Sequence, residues 1–409
     1  MTRAARIAAR GAILALAVTL AAKVTLAGLA TRLMASDPVL AARLSPGNGE
    51  VAIAAAARLA GSHSGTRDPK VRRLVTAALA RSAADPAAIE FRALEAGADG
   101  DPRRETVLFH LSDAISRRSL ATRLWLIQDA VQRGDAGGAL TNFDIALRTS
   151  TDAPSTLFPI LASATSDPTL SAPLAHLFDR PSDWRALFFH YALTEVQADD
   201  GLVRVVPLMR DKAWLVASGI ADTLVGNLVA DGQFADARRI YDLFSHDREA
   251  GALVRDRAFA DPGAAFPFGW EFTQKGEIGA ERSLVHGRPA LAYQALPGGD
   301  GVVASQLLML LPGRYRLSTR AAVTATDRNA PPYWTITCAG RGGGQVALLD
   351  APVDGNEVTK TAFVVPAGCL AQWLVLALRG SDKPGGQSGA LAAVTVMSSS
   401  DRAGTGRPA

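Results

Sequence analysis

The feature that most constrains this chain is a change of hydrophobic period near residues 261–269, from the three-and-four spacing of helices to the two-residue alternation of strands. Stacking at i and i+4 and alternation at i and i+2 put apolar side chains on differently shaped surfaces, so the two stretches cannot share one regular layer. With 409 residues there is enough chain for two cores, and the reading is of a multi-domain protein, α-helical and then β. The Pro- and Gly-rich segment Asp261–Gly269 marks the boundary.

Before that boundary, from about Ser36 to Ala250, helix signals dominate. Asp68-Pro69, Asp85-Pro86, Asp101-Pro102 and Asp167-Pro168 each set a capping carboxylate ahead of a ring whose fixed φ suits a first helical turn. Two stretches overlay without gaps. From Gly134 the small or aromatic residues fall at Ala139, Phe143 and Ala146; from Gly232 they fall at Ala237, Tyr241 and Phe244, and upstream Leu126 matches Leu224. This spacing resembles the tetratricopeptide repeat, in which a glycine ends the first helix, a small residue lets the helices approach, and an aromatic fills the gap. The two glycines are 98 residues apart, near three periods of roughly 34 residues. The repeat's usual tryptophan and terminal proline are missing. The resemblance implies a solenoid that holds a protein partner on its concave side. On this reading Trp125, Trp184 and Trp214 serve as core residues.

After the boundary, alternation runs through PALAYQA from Pro289, VVASQLLML from Val302, RYRLSTRAAV from Arg314, YWTITC ending at Cys338 and AQWLVLAL ending at Leu378. Turn residues at Pro297–Gly301 and Gly340–Gly344 suit connections between antiparallel strands. Eight or more short strands without an intervening helix predict an antiparallel sandwich of jelly-roll type. The opening Phe268–Phe272 with Trp270, the LLPGRYRLS run, the WTITC strand and the VPAGCLAQWLVL run resemble carbohydrate-binding modules and related galactose-binding-like domains. That likeness implies sugar rings stacked on aromatic side chains, and the candidates are Trp270, Tyr293, Trp334 and Trp373. Trp373 shares its strand face with Ala371, Val375 and Ala377, and because both faces of that strand are apolar it reads as buried. A structural calcium near Asp350–Glu357 is an option in such domains, although those acids match no recognised loop.

The start of the chain bears on where these parts work. Arg3, Arg6, Arg10, Lys23 and Arg32 precede the first acid, Asp37, and account for more than the formal net charge of +4, leaving a near-neutral body with no footprint for nucleic acid. Gly11–Ala30 is long enough to cross a hydrocarbon core and follows an arginine-rich tip. It reads as an uncleaved signal anchor in the inner membrane with a periplasmic body, or else as a signal peptide cut after Ala27 or Ala30. The only cysteines, Cys338 and Cys369, form a disulfide in an oxidising compartment or stay as two buried thiols.

Chemistry is harder to find. His63, His110, His176, His190, His246 and His286 are dispersed and form no HExxH pattern, and neither a GxSxG elbow nor a phosphate-binding loop occurs. No catalytic residue, metal ligand or cofactor is assigned. Glu271, Glu277, Glu281 and Asp300 could in principle pair as a glycosidase acid and base.

The expected organisation is a cytoplasmic tip and anchor over 1–34, helical repeats over 35–250, a linker over 251–269, a sandwich over 270–400 and a disordered tail over 401–409. The expected function is a non-catalytic periplasmic binding or scaffold protein, with a protein partner on the repeats and glycan or protein on the sandwich. Chains of this layout resemble accessory proteins of exopolysaccharide or envelope assembly. The alternative is a polysaccharide-acting enzyme, glycosidase or lyase, that uses the sandwich as a targeting module.

Overall fold

A computed structural model describes residues 23–61, 65–245, 252–261, 266–340 and 343–399. Most of the apolar segment Gly11–Ala30, the tail 401–409, His63, His246 and parts of the linker and of the Gly340–Gly344 turn lie outside the described residues. Among the described residues no helix is long and apolar enough to cross a membrane.

Among the described residues up to 245 the chain is a succession of helices, several of them started by aspartates. The Asp68 carboxylate accepts from the Lys70 N–H at 2.7 Å, Asp85 from those of Ala87 and Ala88, and Asp101 from that of Arg104, each with the proline at the helix start. Asp167-Pro168 opens a 3₁₀ turn, Pro168–Leu170, where the Thr169 hydroxyl and N–H hold the Asp167 carboxyl below the usual carboxylate range.

The two aligned stretches are both helical hairpins: Leu120–Gln132 with Ala136–Thr149, and Ile220–Ala230 with Phe234–Phe244. Gly134 and Gly232 sit between the helices at φ 72° and 76°, where a side chain would be strained by about 1 kcal/mol. Ala139, Phe143, Ala146, Ala237 and Tyr241 are buried at the seams. Trp184 is buried with its indole N–H on the Asp144 carboxylate at 3.0 Å, and Trp125 stacks on Phe109 at 4.6 Å.

The C-terminal part is an antiparallel sandwich of eleven strands among the described residues: β1 Glu271–Phe272, β2 Gln274–Lys275, β3 Ile278–Val285, β4 Arg288–Ala295, β5 Gly301–Leu308, β6 Gly313–Val323, β7 Tyr333–Cys338, β8 Gln345–Asp350, β9 Val358–Val365, β10 Gln372–Leu378 and β11 Gln387–Ser398. One sheet has the order β1-β5-β10-β7-β8, the other β2-β3-β4-β11-β6-β9. Inward residues of both fill one core, among them Leu291, Leu317, Ile336, Phe363, Leu374 and Leu391. A disulfide joins Cys338, at the end of β7, to Cys369 in the loop before β10, with Cα atoms 5.4 Å apart.

The chain divides into two compact units, residues 1–161 with 176–184, and residues 162–175 with 185–409. The second unit thus holds helices as well as the sandwich. Its expected linker is structural: Val254, Phe259 and Phe268 are buried, the first two in the sandwich core, and the Gln306 side chain bonds both the N–H and the carbonyl of Arg255. Arg255 reaches the Asp242 carboxylate at 2.9 Å and lies over the Tyr241 ring, and Tyr241 meets Phe268 edge-on at 5.1 Å.

Candidate functional site

Burial divides the four aromatic candidates. Trp270 and Trp334 lie in the core at 5.7 Å from each other, with their indole N–H groups on the Asp256 carbonyl and the Thr319 hydroxyl. Tyr293 is also buried, over Gly389, where a Cβ would overlap its hydroxyl, and burial pushes its phenol up to about 12. Tyr293 and Trp334 face the opposite sheet, because alternation on β4 and β7 turns odd Tyr293 and even Trp334 inward.

Trp373 differs. On β10, Leu374, Leu376 and Leu378 take the core and Trp373 and Val375 point outward, so the ring is only partly covered. Its cover is Phe266, stacked at 5.8 Å and 15° and itself 41% exposed. Phe266 escaped the sequence reading because it sits in a boundary segment rather than on a strand; the signal was the aromatic pair around Pro267.

Register builds the rest of this face. Leu307, Trp373, Thr337 and Gln345 form one row across the five-stranded sheet, and Ser305, Val375, Thr335 and Leu348 form the next outward-facing row. Glu271 lies beside Ser305, whose hydroxyl donates to its carboxylate at 3.4 Å. Four residues along β10, about 13 Å away, Tyr333 lies under the Arg379 guanidinium at 4.5 Å, and Arg379 also donates to Asp350 at 2.6 Å. The surface therefore offers an exposed aromatic platform at one end, a planar arginine–tyrosine stack at the other, and hydroxyl and carboxylate groups between and beside them. Such a surface can stack the apolar face of a ring and hydrogen-bond its polar edge.

The outer face of the other sheet carries an open groove of about 870 Å³, lined by Gln274, Glu281, Gln294, Thr324, Thr326 and Ser388 over a floor that includes Ala292 and Ala390. Its lining mixes polar and apolar side chains, and Tyr293, the one aromatic residue in it, is buried.

Acid–base and metal candidates fall elsewhere. Glu271, Glu277, Glu281 and Asp300 are all solvent-exposed. Burial raises the Asp199 carboxyl, which accepts from Asn227 at 2.9 Å on the helical side of the second unit. Among the described residues no three His, Cys, Asp or Glu side chains converge as a metal site. In the stretch considered for calcium, Asp350 pairs with Arg379, Asp354 with Arg328, and Glu357 accepts from the N–H groups of Val353 and Asp354.

No protein-family model matches the sequence, and no curated protein matches it. Among solved structures, the xylan-binding CBM22-1 domain of Paenibacillus barcinonensis Xyn10C is similar at 13% identity over 32% of this chain and 85% of that one, TM-score 0.24. A carbohydrate binding module of Cellvibrio mixtus lichenase 5A, solved with cellotriose, is similar at 14% identity over 32% and 95%, TM-score 0.21. For the enzymatically active domain of bacteriophage CBA120 tailspike protein 4 the identity is 16%, and the chain covers only 18% of its length, TM-score 0.23. At these values the likeness bears on neither ligand nor activity.

Proposed function

We propose that this is a non-catalytic binding protein whose sandwich holds a glycan on the outer face of the five-stranded sheet. The observation that carries the reading is the exposed Phe266–Trp373 stack beside Thr337, Ser305 and Glu271. A pyranose laid on the Phe266 ring removes apolar area from water, while its hydroxyls exchange water for the flanking side chains. The groove on the other sheet, whose one aromatic residue Tyr293 is buried, has no equivalent platform.

Two wider parts of the reading rest on sequence. The hairpins around Gly134 and Gly232 support a tetratricopeptide-like array that holds a protein partner. The arginine-led apolar start and the Cys338–Cys369 bridge support work outside the reducing cytosol, as an envelope or exopolysaccharide accessory protein at the inner membrane or secreted beyond it.

The test is affinity electrophoresis of the full chain through gels containing neutral and acidic polysaccharides. Retardation by at least one polymer is expected, weakened about tenfold, equivalent to about 1.4 kcal/mol, in Phe266→Ala and Trp373→Ala. Glu281→Ala, in the groove of the other sheet, should leave it unchanged. Retardation indifferent to Phe266 and Trp373 would remove the aromatic face from the account. Release of new reducing ends from a retained polymer would favour the polysaccharide-acting enzyme instead.

A further inference from the structure

The outer face of the six-stranded sheet carries a second feature, away from its groove. Its three adjacent strands β11, β6 and β9 contain no Asp or Glu. Alternation turns Tyr315, Leu317, Thr319, Phe363 and Val396 toward the core and sends Arg314, Arg316, Arg320 and Lys360 outward. Four other cations of the sandwich are matched: Arg282 with Asp256, Arg328 with Asp354, Arg379 with Asp350 and Lys383 with Asp327. The four on β6 and β9 have no carboxylate on their own or flanking strands.

Register sets aliphatic side chains among these cations. Arg314 pairs with Val364, Arg316 with Met397 and Arg320 with Val358, and directly paired residues share a face. Val364, Met397 and Val358 are 57%, 51% and 45% exposed. From Arg314 to Arg320 the strand advances about 20 Å, and β11 to β9 is about 10 Å across. The result is a plate of cations interleaved with exposed aliphatic groups.

We propose that this plate docks the protein on an anionic lipid surface. An acidic polymer would satisfy the cations alone and leave the three aliphatic side chains in water. A bilayer interface offers anionic headgroups to the guanidinium and ammonium groups and shallow acyl carbon to the valines and the methionine. Since the two sheets of a sandwich present their outer faces in opposite directions, docking through β6 and β9 leaves the Phe266–Trp373 face open.

The full chain has no free cysteine among its described residues, so Ala362→Cys, exposed on β9 opposite Arg316, gives a single site for an environment-sensitive dye on this face. A dye here reports on the plate whatever the N-terminal segment does. Vesicles of phosphatidylcholine with 30% phosphatidylglycerol should shift its emission to the blue, and vesicles of phosphatidylcholine alone should not. The vesicle concentration giving half the shift should rise about fivefold for each cation replaced by serine and rise steeply with salt, whereas Arg→Lys replacements at 314, 316 and 320 should keep it. A shift equal on neutral and anionic vesicles, or no shift on either, would overturn the proposal. So would a salt-sensitive shift with polygalacturonate but none with vesicles, which would assign the plate to an acidic polysaccharide. The serine substitutions lie on the sheet opposite Trp373 and should leave glycan retention intact, so failure of either reading shows separately.

Discussion

Tyr293 and Gly389 show how one residue's chemistry is set by its neighbour across a strand. They face each other in the β4–β11 register, and the missing Cβ at Gly389 is the space the phenol occupies. Gly389→Ala should therefore destabilise the protein by about 1–3 kcal/mol in urea unfolding, and Tyr293→Phe in the same chain should recover only part of it, because the hydroxyl is the nearest obstructing atom and the ring carbon Cζ, 2.6 Å from the added Cβ, stays. Burial also holds the phenol neutral to about pH 12, while in the unfolded chain it ionises near the ordinary phenol value of about 10. Above pH 10 the unfolded state loses a proton that the folded state keeps. Stability should be flat with respect to this group below pH 10 and then fall by roughly 3 kcal/mol toward pH 12. Comparing the pH dependence of unfolding in wild type and Tyr293→Phe isolates the effect; equal slopes would mean the phenol is not shielded.

Among the elements, β7 and β10 are central neighbours, and the bridge from Cys338 to Cys369 fastens the end of one to the approach of the other. It closes a loop of 31 residues. Constraining the unfolded chain to that extent is worth about 3–4 kcal/mol. Denaturant unfolding with and without reductant should show a loss of this size, and a Cys338→Ala/Cys369→Ala variant should be indifferent to reductant. The Gln372 side chain adds a second tie at the same corner, accepting from the Leu310 N–H and donating to the Cys369 carbonyl at 2.8 Å. These bonds hold loops at the same end of the sheet as Trp373.

At the scale of the molecule, the second unit couples helix to sandwich through segment 252–261. Arg255 is 7% exposed and joins Asp242 of helix Phe234–Phe244 to a backbone that Gln306 of β5 grips from the other side. Arg255→Ala leaves a part-exposed Asp242 without this partner and uncovers the Tyr241 ring; it should cost about 2 kcal/mol. The loss should appear together in far-ultraviolet helix signal and in sandwich tryptophan fluorescence. Separate transitions would show that the helices and strands of this unit melt independently.

Much of this architecture is local and was therefore written in the sequence. The aspartate–proline starts, the glycines at 134 and 232, and the alternation on β4, β5, β6, β7 and β10 are decided within a few residues by capping, φ preference and side-chain period. Which aromatic ring meets solvent was not. Trp270, Tyr293, Trp334 and Trp373 stand in similar apolar contexts, and only the pairing of two sheets turns three inward and leaves the fourth outside, with Phe266 brought to it from the boundary segment. The same holds for the basic plate. Arg314, Arg316, Arg320 and Lys360 are ordinary strand residues until register sets β9 beside β6, with no acid between them. Period fixes which side chains share a face, but the solvent exposure of that face and its neighbours depend on contacts between residues far apart in the chain.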